Sequence, residues 1–161
     1  APDDSNWRAS PELGRWWSLA GVGTHCLDLA RWIMIPDCGE VAQLKSTINQ
    51  SVWGGPHDET AVISLKFESG STAEICSSVL FDAPSRLEIY GSDGFAICEG
   101  TFGRDGSGRA WTNNGEIKFG QQQPFVGLLD DFVRSIAEDR KPEADAVEGE
   151  KNIRLLLESI R

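Results

Sequence analysis

The strongest constraint on this chain is a change of hydrophobic period along it. Between residues 41 and 119 apolar side chains recur at every second position, and after residue 124 they recur at every third and fourth. Ala61, Ile63, Leu65 and Phe67 alternate with Val62, Ser64, Lys66 and Glu68. Ala73, Ile75, Ser77, Val79 and Phe81 alternate with Thr72, Glu74, Cys76, Ser78 and Leu80, and Leu87 and Ile89 alternate with Arg86, Glu88 and Tyr90. A period of two means strands with one drier face. Ser69–Gly70, Ser92–Asp93–Gly94 and Asn113–Asn114–Gly115 break the pattern with residues that suit hairpin turns. The reading is a meander of about five to seven strands, mainly antiparallel because the links are too short for crossovers. Its other face, with Thr47, Asn49, Ser51, Ser64, Glu74 and Ser78, is wet or meets a partner.

Helices flank the strands. Residues 1–20 read as loop. Thr24 to about Ile35 reads as a helix, with Thr24 as N-cap and Pro36 as its stop. Cys26, Leu27, Leu29, Ala30, Trp32, Ile33 and Met34 make it apolar nearly all round, so it is expected to be buried, with His25, Asp28 and Arg31 needing partners. Near the end, Phe125, Leu128, Leu129, Phe132, Val133 and Ile136 follow helical spacing. A last helix starts at Asp145 and Glu148, a capping-box pair, with Ile153, Leu156, Leu157 and Ile160 as its apolar stripe. Helix, strands, then helices predict an α+β fold: an open, mainly antiparallel sheet with helices packed on one face. Residues 1–161 read as a single domain.

Composition narrows the partners. Lys plus Arg number 15 against 25 Asp plus Glu, a net charge of −10, which disfavours nucleic acid and anionic membrane surfaces. No apolar run reaches the roughly 18 residues of a membrane span, and no signal segment is visible. The chain begins at Ala1 and its one methionine is Met34, as expected of a processed or excerpted chain. Cys26, Cys38, Cys76 and Cys98 show no C-x-x-C spacing, and His25 and His57 no metal-ligand pattern. The expectation is reduced, mostly buried thiols in a cytoplasmic protein without a metal. The Asn49 sequon is short enough to arise by chance.

The chemistry-bearing segments are few. Gly21-Val22-Gly23-Thr24-His25-Cys26 begins like a dinucleotide fingerprint, but Cys26 holds the third glycine position and repeated strand–helix–strand units are missing. The two glycines instead permit a tight turn and close approach to a neighbour. His25 falls in the first turn of the expected helix, where free N–H groups and a positive field favour the neutral, proton-accepting imidazole. Asp28, at i+3, is placed to orient the ring. Trp7, Trp16 and Trp17 with Arg8 and Arg15 crowd the approach, a combination suited to a sugar or other polar ring, or to covering a sheet edge. His57-Asp58-Glu59 reads as a solvated loop, and Asp130–Asp131 and Glu138–Asp139 as a polar helix face. No Gly-x-Ser-x-Gly elbow, P-loop or metalloprotease helix is present.

Several of these segments together resemble one family. Asn6-Trp7-Arg8, Pro11-Glu12-Leu13-Gly14 and the run Gly23-Thr24-His25-Cys26-Leu27-Asp28-Leu29-Ala30-Arg31-Trp32 resemble the start of the C-terminal domain of the glucose–fructose oxidoreductase, inositol dehydrogenase and rhizopine-catabolism (Gfo/Idh/MocA) family. Asp58-Glu59-Thr60-Ala61, Phe67-Glu68-Ser69-Gly70, Arg86 to Gly94 and Phe125 to Pro142 follow in the same order. The resemblance implies the substrate-binding and oligomerisation half of an NAD- or NADP-dependent oxidoreductase of a sugar, polyol or related hydroxyl compound. It implies an N-terminal Rossmann domain as partner, no nucleotide bound by this half alone, and a homo-oligomer formed through the sheet. His25 maps onto the family's proton acceptor, and Arg8, Arg15, Trp16, Trp17 and Asp28 lie where substrate contacts are expected.

Three features depart from the family pattern. Gly21 stands where an aspartate is common, Arg15-Trp16-Trp17 stands where a glycine triplet is common, and the Rossmann-side Lys-Pro is missing, Lys141-Pro142 lying at a helix end. The second reading of the chain is therefore a non-catalytic binding or oligomerisation module with the same fold. A free-standing carbohydrate-binding β module is disfavoured by the helices.

Overall fold

The structure is a computed structural model that describes residues 5–121 and 123–161. A 3-10 turn (Trp7–Ala9) and the one-turn helix α1 (Pro11–Gly14) lead to a π-helical turn (Leu19–Gly23) and α2 (Thr24–Cys38). The strands follow as β1 (Val41–Asn49), β2 (Thr60–Phe67), β3 (Thr72–Ser78), β4 (Arg86–Gly91), β5 (Gly94–Glu99), β6 (Arg109–Thr112) and β7 (Gly115–Ile117). Helices α3 (Pro124–Ala137) and α4 (Ala146–Ser159) complete the order. The strands form two open antiparallel sheets, β1-β2-β3 and β4-β5-β6-β7, where one continuous meander was expected. The chain correspondingly divides into two compact units, one running to Phe81 and including Ala146–Arg161, the other Asp82–Asp145.

The first unit holds the main core. The period of two in β2 puts Ala61, Ile63, Leu65 and Phe67 on one face, and all four are at most 2% exposed. Ile63 lies opposite both Ser46 and Ile75, so β2 is the central strand. Leu19 and Leu27 close over that face, with Met34, Leu155, Leu156 and Ile160 packed around them. Burying each such leucine or phenylalanine contributes roughly 1.5–3 kcal/mol. The opposite face shows Thr47, Val62, Glu74 and Cys76 to solvent.

Two helix boundaries differ from expectation. The chain is already helical at residues 17 and 18 and passes through the π turn into α2 without a break. Gly23, the residue before α2, is right-handed helical at φ −61° and ψ −31°, so Thr24 is an interior residue and not an N-cap. A Cβ on Gly23 would come 3.0 Å from Ser77 Oγ, so this glycine does allow the expected close approach. At the other end Pro36 lies inside the last turn and the helix runs on to Cys38. There a proline forfeits one hydrogen bond without breaking the helix, and Gly39, at φ +75°, makes the true stop.

Helix α4 is rotated from its expected stripe. Leu155, Leu156 and Ile160 face the core, while Ile153 and Leu157 are more than half exposed. Polar ties set the rotation: Asn152 Nδ2 donates to Thr24 O at 3.2 Å, and Ser46 Oγ donates to the Ser159 carbonyl. Arg31, 2% exposed, reaches from α2 to Glu148 Oε2 at 2.6 Å.

The second unit confirms two expected hairpins and leaves one helix face bare. Gly94 in the β4–β5 turn has φ +149°, and a Cβ there would sit 2.1 Å from Asn113 Oδ1, so only glycine serves. In α3 the spacing correctly predicted the helix, yet Phe125, Leu128, Leu129, Phe132, Val133 and Ile136 are all 55–68% exposed. All four cysteines are free, as expected, but none is buried: Cys76 is exposed and the others are intermediate. No helix among the described residues is long and apolar enough to cross a membrane.

Candidate functional site

The helix running from residue 17 to Cys38 carries His25, which is exposed on the surface of the first unit. Because that helix begins eight residues earlier, the amides around His25 are engaged within it. The expected field of a helix N-terminus does not act at His25; the unpaired amides are those of Ser18 and Leu19. These meet the carboxylate of Asp58, with Ser18 N–H donating to Oδ1 at 3.0 Å and Leu19 N–H to Oδ2 at 2.6 Å. Asp58 thus caps the helix from 40 residues away.

Asp28 is exposed, and its carboxylate stands 3.9 Å from Arg31 Nη1. Among the described residues no hydrogen bond joins Asp28 to His25, so the expected orientation of the ring by Asp28 is not seen. One turn before His25, a Cβ on Gly21 would meet only Trp17 Cδ1, at 3.6 Å. This position therefore has room for the acid that the family pattern places there.

The tryptophans and arginines separate into three local groups. Arg8 stacks on Trp7 at 4.4 Å, with its backbone N–H held by Asn6 Oδ1. Arg15 lies over Trp16 at 4.8 Å, and Trp16 packs against the core. Trp17 is tilted against Trp53 at 5.7 Å and against His57 at 6.2 Å. A shallow groove of about 880 Å³ along α4 is lined by Gly149, Ile153, Arg154 and Leu157, and none of the sequence-predicted site residues borders it. Among the described residues no three His, Cys, Asp or Glu side chains are grouped to hold a metal ion. The Gly21–Gly23 segment lies inside a helix, so it forms no strand-to-helix cradle for a dinucleotide.

The segment His57-Asp58-Glu59 is not the solvated loop that its polarity predicts. His57 is 6% exposed, and Asp58 and Glu59 are fully buried. His57 Nδ1 lies 3.3 Å from Gly14 O, and Asp58 N–H donates to Arg15 O at 3.1 Å. Glu59 accepts the N–H groups of Val52, at 2.7 Å, and Trp53. Burial pushes the Asp58 carboxyl above its ordinary value, against the downward pull of the backbone N–H groups. Burial likewise raises the Cys26 thiol, with Cys76 adding to it. A signal for this segment was present: extending the β2 alternation backwards puts Glu59 and His57 on the same face as Ala61 and Ile63.

Comparison with known proteins bears on this arrangement. Residues 1–97 match the family described as the GFO/IDH/MocA C-terminal domain. No curated protein sequence matches the chain. The fold is similar to that of an aldose-aldose oxidoreductase from Caulobacter crescentus complexed with glycerol, with a TM-score of 0.84, 19% identity, and coverage of 98% of this chain and 48% of that one. It is also similar to a UDP-N-acetylglucosamine 3-dehydrogenase from Acidithiobacillus ferrooxidans, with a TM-score of 0.71, 17% identity, and coverage of 86% and 44%. An oxidoreductase from Agrobacterium radiobacter in complex with NAD+, L-tartaric acid and magnesium gives a TM-score of 0.67, 15% identity, and coverage of 91% and 47%. The chain spans about half the length of these solved structures.

Proposed function

The chain belongs to the GFO/IDH/MocA C-terminal domain family, and on that premise we propose that it is the substrate-binding and assembly half of an NAD- or NADP-dependent dehydrogenase acting on a sugar, polyol or related hydroxyl compound. The observation that carries this reading is His25: an imidazole exposed on a long helix of a fold shared with several oxidoreductases. A nicotinamide nucleotide, held by a Rossmann domain outside these residues, supplies the hydride acceptor. His25 takes the proton of the substrate hydroxyl, and the electron pair left on oxygen forms the carbonyl as the carbon gives up its hydride. Arg8, Arg15, Trp16 and Trp17 offer guanidinium donors and ring faces to a polar substrate. Asp28 contributes charge on the same helix as His25, and alone this half is inactive.

Assembly is proposed through the open face of the β1-β2-β3 sheet, in a cytoplasmic protein. The deciding experiment is NAD(P)H formation by the full-length protein over a panel of aldoses and polyols, with and without His25→Ala. The expected result is a loss of about 10²–10⁴-fold in turnover. Unchanged turnover removes His25 from the mechanism.

The second reading, a binding or oligomerisation module without catalysis, is favoured by one specific feature: Gly21 leaves His25 without a neighbouring acid one turn earlier. It predicts no nucleotide reduction on any substrate of the panel.

A further inference from the structure

Asp58 and Glu59 are consecutive, fully buried and acidic. In an extended chain consecutive side chains point to opposite sides, and these two carboxylates diverge accordingly. Asp58 holds the N–H groups of Ser18 and Leu19, immediately after Trp17. Glu59 holds the N–H groups of Val52 and Trp53. The two tryptophans attached to these clamped backbones are the pair that meets at 5.7 Å with planes at 59°. His57, the residue before Asp58, completes the cluster against Trp17.

A helix start needs no distant acid, because a local Ser, Thr, Asn or Asp side chain caps it well. Burying a carboxylate is costly unless it accepts hydrogen bonds. A cap delivered from 40 residues away does what a local one cannot: it fixes one segment relative to another. We infer that Asp58 and Glu59 are positioning residues, which lock Trp17 against Trp53 and so fix the aromatic surface at the start of the helix that carries His25. This rests on the proposed assignment of Trp17 to the substrate side.

The test reads the aromatic pair directly. Two indoles this close and this tilted couple excitonically, giving a couplet in the far-ultraviolet circular dichroism spectrum. The expected couplet disappears in Trp17→Phe and persists in Trp7→Phe. In Asp58→Asn and Glu59→Gln, each with one side-chain acceptor oxygen in place of two, more than half of it is lost at temperatures where the variant is still folded. A role limited to stability lowers the melting temperature and leaves the folded-state couplet intact. That result, or a native protein with no couplet, overturns the inference.

Amide exchange gives a second measure that needs no variant. Slow exchange at Ser18, Leu19, Val52 and Trp53, comparable to the β2 amides, supports the clamps, and fast exchange at these four overturns them. The exchange result decides if neither variant folds. Full turnover in His25→Ala ends the catalytic reading without touching the couplet, so the two failures are distinguishable.

Discussion

Asp58 shows how a single buried group ties stability to pH. Burial favours its neutral form, so the folded protein holds this proton to a higher pH than the unfolded chain does. Its contribution to stability is therefore greatest below the ordinary aspartate value of about 3.9 and falls as pH rises through the folded value. Glu148 has the opposite sign. Lys151 and then Arg31 hold its carboxylate below the usual range, so its contribution is present at neutral pH and is lost as pH falls through that lowered value. Melting temperatures of the native protein and of Asp58→Asn and Glu148→Gln, taken between about pH 3 and pH 7, check both signs. Relative to Asp58→Asn the native protein loses ground as pH rises; relative to Glu148→Gln it gains. Truncation is harsher than exchange: Asp58→Ala orphans two buried N–H groups and is expected to cost about 2–4 kcal/mol by denaturant titration.

At the scale of elements, helical periodicity named three helices' worth of apolar residues without saying which ones are covered. Leu27 of α2 and Leu129 of α3 are both apolar residues at helical spacing, yet one is fully buried and the other 58% exposed. Leu27→Ala is expected to cost about 2–5 kcal/mol through lost contacts and a cavity. Leu129→Lys should change unfolding free energy by less than about 0.5 kcal/mol. Equal losses in a denaturant titration would mean that α3 is covered in solution. The same element-level reasoning applies to α2 and α4, which Arg31 joins. Removing the Glu148 charge leaves a guanidinium that is 2% exposed with Asp28 3.9 Å away, so Glu148→Gln should also cost about 1–3 kcal/mol at neutral pH.

For the whole molecule, the open face of the first sheet bears on assembly. Thr47, Val62 and Cys76 stand side by side across β1, β2 and β3 and are all exposed. If copies associate through this face, light scattering shows a dimer or larger at high concentration, and Val62→Asp shifts it to monomer without lowering the melting temperature. A monomer at every concentration ends that proposal.

The sequence by itself marked the alternation of β2, β3 and β4, the short turns at 69–70, 92–94 and 113–115, the helical spacing from Phe125 to Ile136 and the central buried face of β2. These follow from local steric preference and from the periods of helix and strand, which any window of the chain displays. It also carried the family resemblance, in the order of its motifs. Only the tertiary structure decided that the helix bearing His25 starts before the glycines, that Pro36 does not end it, and that Trp17 turns towards Trp53 and His57. It alone showed that Asp58 is buried and which backbone N–H groups Asp58 and Glu59 hold. The reason is physical: what a polar side chain meets depends on backbone amides 40 residues away, and no local pattern records them. A carboxylate that looks destined for water goes inside when two unpaired N–H groups are waiting there.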